Sequence, residues 1–243
     1  MTSTVMDSGQ ASARRFFSSM ATVMIVAALI GFAPSFYLRG LVHYPRPNPT
    51  LNALVILHGV MLSLWLLIFW VQTLLIATGR RDLHLRLGIG GMSMAAAMIP
   101  VMYLTAVGGV ARASAPPFAT ALGWTAVPLA ALLAYIPLIA LGWHHRRDAD
   151  AHKRLMLSAG LLLIAPAFGR FPIAPPVLAG HAFTQILALC LFIPLMIYDR
   201  RNLGRLHWAT KLGFALAAAS ILLGIAGVAT PAWAVIAAYL PGI

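Results

Sequence analysis

Residues 57–88 read "LHGVMLSLWLLIFWVQTLLIATGRRDLHLRLG". From Leu51 to Gly79 there is no Asp, Glu, Lys or Arg; Arg80, Arg81, Asp82 and Arg86 then follow within eight residues. A run of about twenty apolar residues spans a hydrocarbon core of about 30 Å as a helix. In lipid the backbone has to satisfy its own hydrogen bonds, which leaves helices or closed barrels. The stretch therefore reads as a membrane-spanning helix, a basic turn and the start of a returning helix.

The same pattern extends over the chain. Of its 243 residues 61% are hydrophobic and 9% charged, with a mean hydropathy of +0.88. A soluble domain needs about 25% charged residues to cover itself. The apolar segments are continuous runs rather than ten-residue alternations, which selects helices over a β-barrel. The expected fold class is an all-α, polytopic transmembrane helical bundle of about seven spans. The expected spans lie near 18–38, 51–78, 87–108, 118–142, 154–171, 177–198 and 209–229, forming a single domain (18–243) behind a polar, mobile tail (1–17). Arg14 and Arg15 followed by an apolar stretch resemble a secretion signal. The run from Met20 to Leu38 is long and has no clear Ala-x-Ala site, so it is read as a retained first span. The second span, about 28 residues and about 42 Å long, has to tilt or protrude. Pro100, Pro128, Pro137, Pro166 and Pro194 mark expected kinks. The closing "TPAWAVIAAYLPGI" is too short to cross and suits an interfacial helix, with Trp233 and Tyr239 at headgroup level.

The net charge is +12, with five Asp and no Glu. On a soluble protein this would point to nucleic acid. Here the charge lies in short loops between apolar spans, so the lipid bilayer is the expected partner and nucleic acid is not. With the N-terminus inside, the inner segments hold Arg14, Arg15, Arg80, Arg81, Arg86, Arg146, Arg147, Lys153, Arg154, Arg200, Arg201, Arg205 and Lys211. The outer segments hold Arg39, Arg46, Arg112 and Arg170, a 13-to-4 split that sets a cytoplasmic N-terminus. One cysteine, Cys190, excludes an intramolecular disulfide framework.

The turn in the opening stretch is repeated. Asp82, His84, Arg86 and Leu87 recur 68 residues later as Asp150, His152, Arg154 and Leu155. The shared Asp-x-His-x-Arg-Leu suggests a parallel duplication of the hairpins, with Asp199 and His207 as a degenerate echo. One reading is structural: Asp82 and Asp150 cap helices, Arg86 and Arg154 meet lipid phosphates, and the leucines begin buried runs. The other is chemical: the inner hairpins converge, and His84, His152 and His207 with Asp82, Asp150 and Asp199 bind a transition metal.

A second set lies within the spans. His58, Trp65 and Gln72 form one stripe at sevenfold spacing, and His181 and Gln185 lie one turn apart. A histidine on each of two facing helices is the minimum for a haem b with two imidazole ligands, and Arg170 can pair with a propionate. The plainer alternative is an interhelical hydrogen bond, His58 to Gln185 or His181 to Gln72, worth about 1 kcal/mol. No span carries a carboxylate at its middle, no lysine lies mid-membrane for a retinal, and no P-loop, HExxH, GxSxG or dinucleotide fingerprint is present.

"LHGVMLSLWLLIFWVQTLLIATGRRDLHLRLG", "DADAHKRLM" and "YDRRNLGRLHWAT" together resemble an uncharacterised family of bacterial multi-pass membrane proteins. More distantly, the His152-to-Met156 turn and its weaker copy at His84 resemble small membrane proteins linked to cytochrome-oxidase assembly. These resemblances imply a bacterial inner-membrane protein that is haem- or metal-associated and serves respiratory redox chemistry or its assembly. Its partners would then be other membrane proteins of a respiratory or assembly complex. A small-molecule or lipid transporter using the polar seam, or a non-catalytic scaffold, are the alternatives.

Overall fold

The structure is a computed structural model that describes residues 2–44, 50–171 and 181–243, with side chains described for 10–44, 50–171 and 183–243. Its elements are α1 (Thr2–Phe32) with a π-helical turn (Ala33–Tyr37), α2 (Ala53–Ala77), α3 (Arg81–Val107), α4 (Ala121–Trp124) and α5 (Ala126–His144). They continue with α6 (Ala149–Leu163), α7 (Ala165–Phe168), α8 (His181–Cys190), α9 (Phe192–Leu203), α10 (Trp208–Ala229) and α11 (Pro231–Ala237). Among the described residues the fold is all-helical, and six segments are long and apolar enough to cross a membrane. They are Gln10–Tyr37, Ala53–Ala77, Arg81–Val107, Ala121–His144, Phe183–Leu203 and Trp208–Ala229.

The helix breaks follow from proline chemistry. A proline lacks the N–H that would bond the carbonyl four residues back. The α4/α5, α6/α7 and α8/α9 breaks fall at Thr125, Ile164 and Leu191, each two or three residues before Pro128, Pro166 and Pro194. Pro100 and Pro137 instead lie inside unbroken helices. The segment read as a mobile tail is helical from Thr2, and Phe16 stacks on Tyr198 with ring centres 4.4 Å apart. That contact gives the first turns of the helix something to pack on.

The expected fifth span takes an unanticipated role. It divides into α6 and α7, neither of which qualifies by length and composition as a crossing helix. Yet α6 is the core of the bundle: Ala151 and every residue from Arg154 to Leu162 are buried. It packs against α1, α5, α7, α8 and α10. A helix enclosed by protein on all sides has no need of a lipid-compatible surface, so its modest hydropathy and its arginine are tolerated.

Side-chain contacts show how the ends gather. At one end Lys153 lies over the Phe17 ring at 5.3 Å, Arg154 reaches Asp199, and His145 meets Trp208. At the other, Gly31 abuts the Ala167 backbone, Trp233 Nε1 donates to Thr125 Oγ1 (3.1 Å) and Tyr103 Oη donates to the Pro241 carbonyl (2.9 Å). Thus α1 and α6–α7 run parallel. The chain that leaves the Arg154 end along α6 is back there when α9 reaches Asp199. The α2–α3, α5–α6 and α9–α10 turns share that end, and it holds most of the basic residues, while Arg39, Arg112 and Arg170 lie at the other.

Candidate functional site

The basic end contains two polar constellations. The first is built on Arg154, 1% exposed, and Asp199, fully buried. Arg154 donates through Nε (2.8 Å) and Nη2 (2.7 Å) to Asp199 Oδ1. Its Nη1 donates to the Asp150 carbonyl (2.8 Å) and to Asp150 Oδ1 (3.0 Å). Asp199 Oδ2 accepts from the His207 backbone N–H (3.0 Å) and from Thr210 Oγ1 (2.6 Å). Both carboxylate oxygens are therefore engaged, and the network ties α6, α9 and α10 together. Buried ions persist when each is paired and hydrogen-bonded, and this pair meets that condition.

The network revises several expectations. Arg154 is enclosed by the bundle and does not face lipid phosphates. Asp199 is occupied as a structural counter-ion. The cap of α6 is Asp148, whose side chain accepts from the Asp150 and Ala151 N–H groups. Asp150 sits two residues later, in the first turn, and bonds Lys153 Nζ (2.6 Å) and Arg154. The hydrogen bond from Lys153 holds its carboxyl below the usual carboxylate range. Asp82 likewise lies in the first turn of α3 without capping it, 3.7 Å from Arg80 Nε.

The second constellation joins α2, α3 and α6. The rings of His84 and His152 lie 6.4 Å apart, centre to centre, with planes at 86°. His152 Nδ1 lies 2.8 Å from the Gly142 carbonyl oxygen. Only a protonated Nδ1 can bond a carbonyl, so Nε2 carries the free lone pair of the neutral ring. Gln72 Nε2 donates to the His84 carbonyl (3.1 Å). His84 Nδ1 and Gln72 Oε1 are both buried without a hydrogen-bond partner. Two buried polar atoms of this constellation thus lack a partner.

His207 does not join them. It caps α10, its Nδ1 accepting from the Ala209 N–H (3.2 Å), and its ring lies beside Trp208. Among the described residues no group of three or more His, Cys, Asp or Glu is placed to hold a metal ion. The six-residue inner set therefore separates into a histidine pair (His84, His152), an ion-pair network (Asp150, Asp199), a helix cap (His207) and Asp82, which lies beside Arg80.

Burial pushes His152 below its ordinary value near 6.5; burial, then the Arg154 charge, do the same to His207. Both are neutral in the fold, and protonating His207 at Nδ1 destroys its cap. The unfolded chain takes up protons at about 6.5 while the fold resists, so stability rises with pH across that window. It is complete above about pH 6.5 and is lost as pH falls towards the lowered folded values. Thermal midpoints in detergent should drop between pH 7 and pH 5. The drop should shrink in His207→Asn, which keeps a cap that cannot titrate.

The expected outer site is placed only in part. His58 Nδ1 is buried without a partner, but the His181 side chain lies outside the described residues. Trp65, on the same stripe, is 3% exposed and lies edge-on to Tyr135 of α5. Gln72 is engaged by His84. Gln185 lines a gap of about 10 Å³ with Leu161, Leu162 and Phe192, barely the volume a single water needs. Arg170 donates to the Pro166 carbonyl (2.9 Å) and lies over the Phe32 ring at 5.0 Å. The partner of Gln72 is a backbone carbonyl, which no residue pattern in the sequence reveals.

No protein-family model, no curated protein and no solved structure matches the chain.

Proposed function

We propose that this chain is a seven-crossing membrane protein with a cytoplasmic N-terminus that binds monovalent copper between His84 and His152. The observation that carries the reading is the unmet polarity of the site: His152 is oriented by a backbone carbonyl while His84 Nδ1 and Gln72 Oε1 are buried and unpaired. A ligating histidine typically donates its other ring N–H to a carbonyl or carboxylate, which fixes the tautomer and aims the lone pair.

Distance and charge support the choice of ion. Taking the zinc–imidazole distance of about 2.0–2.1 Å as the measure, a metal between the rings would stand about 3.2 Å from each ring centre. The observed 6.4 Å separation then corresponds to ligands on opposite sides of one ion, the arrangement two-coordinate monovalent copper adopts. Rings at 86° can both hold such an ion in their planes. No carboxylate or thiolate joins the pair among the described residues, so a single positive charge is accommodated more readily than a double one. Gln72, which bonds the His84 carbonyl and whose amide oxygen has no partner, is the candidate for a further donor.

The crossing count rests on the return of the chain from Arg154 to Asp199, which makes α6–α7 and α8–α9 an antiparallel pair. The orientation rests on the basic residues gathered at one end.

Copper(I) titration of the detergent-purified protein against a chromogenic chelator, under reducing anaerobic conditions, tests the reading. One equivalent should bind, and His84→Ala and His152→Ala should each weaken binding at least tenfold, while His144→Ala leaves it unchanged. Absence of stoichiometric binding, or binding that survives both substitutions, would overturn it.

A further inference from the structure

Where α9 turns into α10, the basic end opens into a concavity of about 410 Å³ lined by Arg200, Arg205, Leu206, His207, Trp208 and Lys211. We infer that this concavity is a binding site for a phosphate-bearing anion. The inference is independent of the histidine pair, which lies on other helices.

Basic residues at a membrane protein's inner end ordinarily serve topology. Three observations together point beyond topology. First, the chain places its cations around a hollow. Gly204, at φ +67, reverses the chain after α9 and brings Arg205 round to the same concavity as Arg200 and Lys211. Second, the carboxylates are spent elsewhere. Asp82 pairs with Arg80, Asp148 caps α6, Asp150 holds Lys153 and Arg154, and Asp199 is saturated by Arg154, Thr210 and His207; the Asp7 side chain lies outside those described. Among the described residues Arg200, Arg205 and Lys211 have no carboxylate within ion-pair distance. Third, the wall is mixed. Leu206 and the half-exposed Trp208 give apolar and aromatic surface beside the cations, and His145 packs edge-on to Trp208 at 5.0 Å and supports it.

Arginine matches tetrahedral oxyanions with paired N–H donors, and lysine adds a mobile charge. The chemistry that completes the site is thus a phosphate group with a short organic appendage against Trp208. An anionic phospholipid headgroup and a soluble phosphate compound both supply it.

The test uses the full chain in nanodiscs. In discs of phosphatidylcholine alone, isothermal titration with inorganic pyrophosphate reads the soluble source. In discs doped with phosphatidylglycerol, lipid retention measured by native mass spectrometry reads the headgroup source. Binding in either arm should fall at least tenfold in Arg205→Gln/Lys211→Gln, whose two residues are exposed and outside the core network. The control Arg81→Gln/Arg147→Gln removes the same charge from the same end and should change binding less than twofold. Pyrophosphate binding assigns a soluble ligand, and selective phosphatidylglycerol retention alone assigns a lipid. Absence of binding in both arms, or equal losses in the two double variants, would overturn the inference.

Discussion

Arg154→Ala is expected to destabilise the fold by about 3–5 kcal/mol, the cost of leaving a buried carboxylate without its counter-ion. Asp199 is fully buried and receives two of its four hydrogen bonds from Arg154. The substitution also empties a large volume near the start of α6, next to Leu155 and Leu157, which are inaccessible. Lysine is not a replacement, because it cannot send one fork to Asp199 and another to the Asp150 carbonyl. The paired variant Arg154→Met/Asp199→Leu removes both charges and should recover much of the loss, since apolar substitutes for a buried pair are often neutral or better. Thermal midpoints and the monodisperse fraction in mild detergent, read as a double-mutant cycle, measure this. A single variant as stable as the parent would show that Asp199 finds another partner or takes up a proton.

Gly31→Val is the second large effect, expected at about 1–3 kcal/mol or more, the range for overpacking a filled interface. A Cβ at Gly31 would fall on the carbonyl group of Ala167, which is backbone and cannot rotate away as a side chain could. Ala167 is itself fully buried, and its segment is fixed by the break before Pro166. The only relief is to move α1 off α7, and small residues at membrane helix contacts exist to permit that approach. Gly90 in α3 is the contrasting case. Nothing lies within 4 Å of a Cβ placed there, so Gly90→Ala should be stabilising by about 0.5–1 kcal/mol through helix propensity alone. Equal melting temperatures for the two variants would refute the packing argument.

Much of the architecture was written locally. Span 51–78 became Ala53–Ala77 and span 209–229 became Trp208–Ala229, because each is an uninterrupted apolar run with a turn signal at its ends. Asn52 caps α2 by accepting from the Val55 N–H (2.9 Å). Span 87–108 began six residues early, at Arg81. Its first turns are charged, and charge does not stop a helix that has an acidic residue in its first turn and its own turn to start from. The repeated Asp-x-His-x-Arg-Leu was legible as a pattern but not as roles. In one copy Arg154 is buried and paired; in the other Arg86 is exposed. The two copies diverge because one opens an enclosed helix and the other a more exposed one.

The amino-acid sequence by itself determined that the chain is helical, where its long apolar helices run, where prolines interrupt them and which turns carry the positive charge. Those properties depend on hydropathy over about twenty residues and on backbone chemistry within four. Only the tertiary structure decided that α6 is the core, that Asp199 belongs to Arg154, and that His84 meets His152 while His207 turns away to cap α10. Those outcomes depend on which helix faces meet across 45 to 68 residues of chain, and contact between faces is settled by packing and not by any residue's neighbours in sequence.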